Sequence, residues 1–169
     1  MNLIPLPEPT DMAQWLRMGL AEYTGIVKFP FHPSKDAPNS WAQLKQWGAS
    51  NRLGVDSLPV FQGGSDHSIY GSPMANHIFR AWHDTVHLKE GLSFSLDDEI
   101  KVSDIHCATL RYLGAPYNVV KALEADVKGQ ILYFHETGCY VQNQKLFVMD
   151  CLKYSIETVI YFVNQGTRY

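Results

Sequence analysis

The chain has 169 residues, 46% of them hydrophobic, and a net charge of −3. That length suits one domain with a sizeable core that needs no disulfide staple. No run of Lys or Arg supplies the footprint of a general nucleic-acid binder, and no apolar stretch reaches membrane-spanning length.

In chain order, residues 1–71 read as an irregular N-terminal part that holds most of the prolines. Two short helices are predicted in it. One covers about 10–23, with Thr10 and Asp11 as caps, and the other about 39–48, with Asn39 or Ser40. Phe29-Pro-Phe-His-Pro33 and Gln62-Gly-Gly-Ser-Asp66 read as loop, and Val55 to Phe61 as a short extended piece.

From residue 72 the pattern is helical. Ser72-Pro73 is a cap followed by proline at the first helical position, opening a helix to Leu88. Ser95 with Asp98 resembles a capping box and opens a second helix to Leu113, stopped by Gly114. Pro116 and Asn118 open a third, which ends before Gly138. A fourth runs from about Gln142 to Asn164, with Gly166 as its stop. The expected fold is mainly α: about four long helices in a bundle over residues 72–165. Residues 1–71 would be an extension packed on 72–169 within a single domain.

Cys107, Cys139 and Cys151 are odd in number and lack Cys-x-x-Cys spacing. A disulfide framework or thiolate zinc site is not expected, and a reducing, cytoplasmic setting is. The N-terminus lacks the basic start and apolar run of a signal peptide.

The polar residues of the bundle carry the functional expectation. His83 and His87 stand one turn apart on one helix face, with Asp84 between them in sequence. Two imidazoles so placed can grip one metal ion, and a nearby carboxylate can accept a proton or bind a second ion. Glu99 and His106 share one side of the next helix. Asp126 falls on the apolar stripe of the third helix, where an unpaired carboxylate is expensive, so it needs a partner: a metal, a histidine or an arginine such as Arg80 or Arg111. His83, His87, Glu99 and Asp126 are therefore the expected metal ligands. Two imidazoles and two carboxylates suit Fe, Mn, Co or Zn better than Ca or Mg.

The His83-Asp84 dyad resembles the defining pair of HD-domain proteins, which are helical metal-dependent phosphohydrolases and, less often, di-iron oxygenases. The resemblance implies Asp126 as the later aspartate and His67 or His32 as the upstream histidine. A second pattern runs from Tyr70-Gly-Ser-Pro73 through Asn76, Phe79-Arg-Ala-Trp-His-Asp84, His87, Glu99, Gly129-Gln130, Tyr133, Gly138 and Asn143-Gln144. It is similar to small uncharacterised phage-encoded proteins. That likeness implies a viral origin and a host cytoplasm, but no known activity.

Three functions follow as expectations. The first is a metal-dependent hydrolase of a small phosphorylated substrate such as a nucleotide. Asp84 or Glu99 would be its base or second-ion ligand, Arg80 its phosphate contact and Gln130 its ligand-orienting amide. The second is a non-haem iron oxygenase of helical-bundle type. The third is a non-enzymatic phage accessory or structural protein that docks on a host protein or on its own copies, with Trp15, Trp41 and Trp47 as anchors.

Overall fold

The computed structural model describes residues 3–64 and 68–169. The chain is mainly α-helical, with one small two-stranded sheet. Helix α1 (Pro9–Thr24) begins with proline in its first turn and ends at Gly25, whose φ of 72° is left-handed. Met12, Leu16 and Leu20 are buried along one face of it, at the spacing of an amphipathic helix. They join the same core cluster as Trp82. At Gly19 the Trp82 ring packs so closely that any side chain would collide with it.

Strands β1 (Phe31–Ser34) and β2 (Leu58–Phe61) pair in parallel, Phe31 opposite Leu58 and Ser34 opposite Phe61. The second strand agrees with the extended piece expected there. The first corrects the expectation of a loop. Its Pro33, and Pro59 on β2, lack the N–H that a longer ladder would need, and a sheet of only two strands can accommodate them. Helix α2 (Trp41–Ser50) lies between the strands in sequence, with Ser40 accepting from the Gln43 N–H.

Helices α3 (Pro73–Glu90) and α4 (Leu96–Tyr112) are regular and start where their caps dictate. The Ser72 hydroxyl accepts from the Ala75 N–H at 3.2 Å. The Ser95 hydroxyl accepts from the Asp98 N–H at 3.4 Å. The second half of a capping box differs, because the Asp98 carboxylate reaches the Ser93 N–H at 2.9 Å.

Two expected long helices are interrupted. The third comprises α5 (Tyr117–Glu124), a π-helical segment (Ala125–Gly129) and α6 (Gln130–Thr137). Phe147 packs against Gly129 within that segment, where a Cβ would sit 2.9 Å from the ring. The fourth is split into α7 (Gln144–Tyr154) and α8 (Ile156–Asn164) at Ser155, which has φ 90°. None of the helices in the described residues is long and apolar enough to cross a membrane. Cys107, Cys139 and Cys151 are all free thiols.

Candidate metal centre

The α3–α4 turn builds the site. Gly91 ends α3 with φ 68° and donates its N–H to the His87 carbonyl. The chain folds back there, and Leu92 N–H also reaches the His87 carbonyl at 3.1 Å. This return brings the Leu92 carbonyl to 3.0 Å from Nδ1 of the His87 ring. A carbonyl can only accept, so His87 Nδ1 carries the proton and Nε2 is left with a free lone pair in the neutral ring. Glu99 lies in the first turn of α4, where the helix end favours a carboxylate.

His83, His87 and Glu99 form a cluster whose ligand atoms lie within 4.8 Å of one another, an arrangement that can hold a metal ion. His83 Nε2 lies 3.1 Å from His87 Nε2 and 3.3 Å from Glu99 Oε2. His87 Nε2 lies 3.6 Å from Glu99 Oε1. Donors bound about 2.1 Å from one ion at tetrahedral or octahedral angles stand roughly 3.0–3.4 Å apart. The triad already has nearly that shape.

The surroundings are apolar and aromatic. Phe94 meets His87 edge-on at 4.7 Å between ring centroids, and Phe79 lies 5.5 Å from His83. The His87 side chain is fully buried, and those of His83 and Glu99 are only 19% and 12% exposed. Burial opposes a charge on His83, yet the hydrogen bond and charge of Glu99 outweigh it and raise the imidazole pKa. Burial likewise opposes ionisation of Glu99, and the two histidines overcome it, holding the carboxyl well below its usual range. The cluster therefore favours a positive charge at its centre, whether a proton or a cation.

The fourth expected ligand, Asp126, is not part of this cluster. Its carboxylate is buried and accepts from Tyr70 Oη, from Gln130 Nε2 at 2.6 Å and from Gln144 Nε2. Its hydrogen-bond partners are thus neutral donors, and the charge of His83 also favours the carboxylate. Burial still pushes the Asp126 carboxyl up to about 6, against the pull of those hydrogen bonds. Tyr70 and Gln144 open and close the sequence pattern described above, which assigns neither a role. They come from the loop before α3 and the first turn of α7, and no local spacing links either to Asp126.

The other expected site residues are near but differently engaged. Asp84 is half-buried beside His83 and outside the cluster. Burial raises its carboxyl to about 7, with His83 and Arg80 pulling the other way. The Arg80 guanidinium donates to the Phe61 carbonyl and lies 5.2 Å over the Phe61 ring. The Gln130 amide nitrogen is taken by Asp126. His32 is exposed on β1 with Nδ1 2.8 Å from the Ser57 hydroxyl, and His67 lies outside the described residues.

One further histidine joins the cluster from the side of α4 that it shares with Glu99. His106, two turns along α4, is fully buried with Nε2 3.3 Å from His83 Nδ1. The two clefts that stand out on the surface lie elsewhere. One is beside α2 at Asn39, Gln43 and Trp47, and the other is by the α7–α8 junction at Tyr117, Ser155 and Glu157. No protein-family model, curated protein or solved structure matches this chain.

Proposed function

We propose that the protein is a metal-dependent hydrolase of a small phosphorylated substrate, such as a nucleotide. His83, His87 and Glu99 hold one divalent ion of the Fe, Mn, Co or Zn group. The observation that carries this reading is the triad itself: three donors from two helices at mutual distances of 3.1, 3.3 and 3.6 Å. Three protein ligands would leave coordination positions for water, and a bound ion would supply acidity to that water, to a pKa of about 7 in the case of zinc. Asp84 follows the first ligand directly, and its half-buried carboxylate is the proton acceptor of this reading. Arg80, one turn before Asp84 on α3, supplies the cation for a phosphate. Its anchoring to Phe61 leaves further guanidinium N–H groups for that role.

The donor set favours a second reading. Two histidines and one carboxylate with open positions are also the preferred ligands of non-haem Fe(II) oxygenases. The ring of Phe79, Phe94 and Trp82 around the imidazoles suits an oxygen-activating centre. A single carboxylate in the cluster makes such a centre mononuclear.

Elemental analysis of untagged protein, followed by titration of the metal-free form with Zn²⁺, Mn²⁺, Co²⁺ and anaerobic Fe²⁺, tests both. One ion per chain at micromolar affinity is expected. The loaded protein should then release inorganic phosphate from a panel of nucleotides and phosphomonoesters. Phosphate release absent with every ion, but oxygen consumption with Fe²⁺, selects the oxygenase. Failure to bind any of the four ions ends both readings.

A further inference from the structure

We propose that His106 is a positioning residue for the metal centre: by accepting a hydrogen bond from His83 Nδ1, it turns Nε2 of that ring toward the ion. This inference rests on the triad being a metal site. His83 needs such a partner more than His87 does. The His87 ring is fixed by the Leu92 carbonyl, which can only accept and so dictates one tautomer. Among the described residues, the imidazole nitrogen facing His83 Nδ1 is His106 Nε2, at 3.3 Å. An imidazole nitrogen can donate or accept, so the His83 tautomer is set jointly by the two rings.

For a neutral His83 the geometry allows two proton arrangements. In one, His83 carries its proton on Nε2 and donates it toward His87 Nε2, while His106 Nε2 donates to His83 Nδ1. In the other, His83 Nδ1 carries the proton and donates to His106 Nε2, which leaves His83 Nε2 bare toward Glu99 and His87. Only the second can ligate an ion at the triad. It requires His106 to be neutral at Nε2 with its proton on Nδ1.

Three features hold His106 for that task. The ring is fully buried. It packs edge-on against Trp82, with centroids 4.3 Å apart at 70°, and lies 5.7 Å from Phe79. Its Nδ1 has no hydrogen-bond partner among the described residues, so no other group fixes which nitrogen carries the proton. The ring can therefore follow whichever tautomer His83 takes. The two rings are nearly parallel, at 26°, so His83 can keep its orientation while the protons move. A carboxylate or carbonyl acceptor behind a ligating histidine fixes one state. A second imidazole permits both; the ion is held by the arrangement in which His83 Nδ1 donates to His106 Nε2, and exchange from the other releases the His83 Nε2 proton to water and takes one from water at His106 Nδ1.

The test uses the full chain and Zn²⁺ or Co²⁺ alone. His106→Met keeps the approximate volume and removes the imidazole acceptor. His106→Gln keeps an amide oxygen that can accept. Affinity should fall 10–100-fold in His106→Met, the usual effect of removing such a partner, and recover partly in His106→Gln. ¹⁵N chemical shifts of the imidazoles give a readout that a packing role would not move. On Zn²⁺ addition to the wild type, His83 should change to the Nδ1–H tautomer with Nε2 metal-bound. If His106→Met does not fold, the His106→Gln protein and the wild-type ¹⁵N spectra carry the test. Ligation through His83 Nδ1 overturns the proposal while leaving the metal centre intact, as does unchanged affinity in a folded His106→Met. Absence of metal binding by the wild-type protein overturns the centre and this proposal with it.

Discussion

The two halves of the helical region bury polar groups in opposite ways. In the α3–α4 pair, His83, His87, Glu99 and His106 face one another, with Glu99 between the two ring nitrogens of His83 and His87. In the segment from Tyr117 to Asn164, Asp126 is surrounded by three side-chain donors, one of which, Gln144, also accepts from the Ile69 N–H. One cluster is a set of imidazoles around a carboxylate that can hold a proton or a cation. The other is a carboxylate held by side-chain hydrogen-bond donors. Buried polarity alone does not identify a ligand site; what distinguishes the first cluster is convergence of imidazole and carboxylate atoms that pair with each other only through a proton, whose place a cation can take.

The largest expected effect separates the two directly. Glu99→Gln keeps the shape of the side chain and removes its charge, so metal affinity should fall by at least about a hundredfold, beyond what loss of an outer partner produces. Asp126→Asn should shift it by no more than a few-fold. Chelator competition with Zn²⁺ measures both. Equal losses in the two variants would mean that Asp126 acts with the triad, and the contrast would be wrong.

Stability should show the reverse order. Asp126→Ala leaves Tyr70 Oη, Gln130 and Gln144 without their shared acceptor in the core, and should cost roughly 3 kcal/mol or more in urea unfolding. Any chains that still fold should keep one metal site.

A pH series refines the same point. The Asp126 carboxyl stands at about 6 in the folded protein against 3.8 when exposed. The folded state thus binds more protons between these values, and this group's contribution to stability declines as pH rises through that window. Fully ionised, it is worth on the order of 3 kcal/mol against the fold relative to its protonated form. Glu99 acts in the opposite sense, because its depressed pKa stabilises the fold at pH above the ordinary carboxylate value and that contribution is lost in acid. The wild type alone would therefore blur the effect, whereas the stability difference between Asp126→Asn and wild type should grow in favour of the variant from pH 4 to pH 7. A flat difference would show that the Asp126 network leaves its carboxyl unperturbed.

The same division explains what was legible in the sequence. Regular helices preserve the 3.6-residue phase, so Ser72, Pro73 and Ser95 mark true starts and the spacing of His83 and His87 places both rings on one face. Glu99 joined them because α4 begins only a short turn after α3. His106 was legible as a neighbour of Glu99, but its contact with His83 depends on how the two helices pack, which periodicity does not contain. In the other half the α-helical spacing still holds locally: Asp126 is buried and Gln130, four residues on, meets its carboxylate across the π-helical segment. The more distant partners are another matter. The Asp126 partners Tyr70 and Gln144 are 56 and 18 residues away. The β1–β2 pair escaped notice for a similar reason: its first strand carries proline and loop-like neighbours, and only the partner strand makes it extended.

The break at Ser155 offers the smallest and most local test of this view. No proline or glycine marks it, and the sequence from Gln142 to Asn164 reads as one helix. Yet Ser155 adopts φ 90° and ψ 157°, a region that is nearly glycine-only, and such a residue stores about 1–3 kcal/mol. The Ser155 hydroxyl offsets part of that by accepting from the Thr158 N–H at 3.3 Å, capping α8. Glycine would relieve the strain, lose only a few tenths of a kcal/mol of capping, and lose somewhat more backbone entropy on folding. Alanine would lose the cap and keep the strain. Ser155→Gly should therefore be about 1–2 kcal/mol more stable than Ser155→Ala in urea unfolding, with metal affinity the same in both. If the alanine variant proves the more stable, the junction is a continuous helix in solution. The irregular half would then be as regular as α3 and α4, and the contrast drawn between them would rest on Asp126 alone.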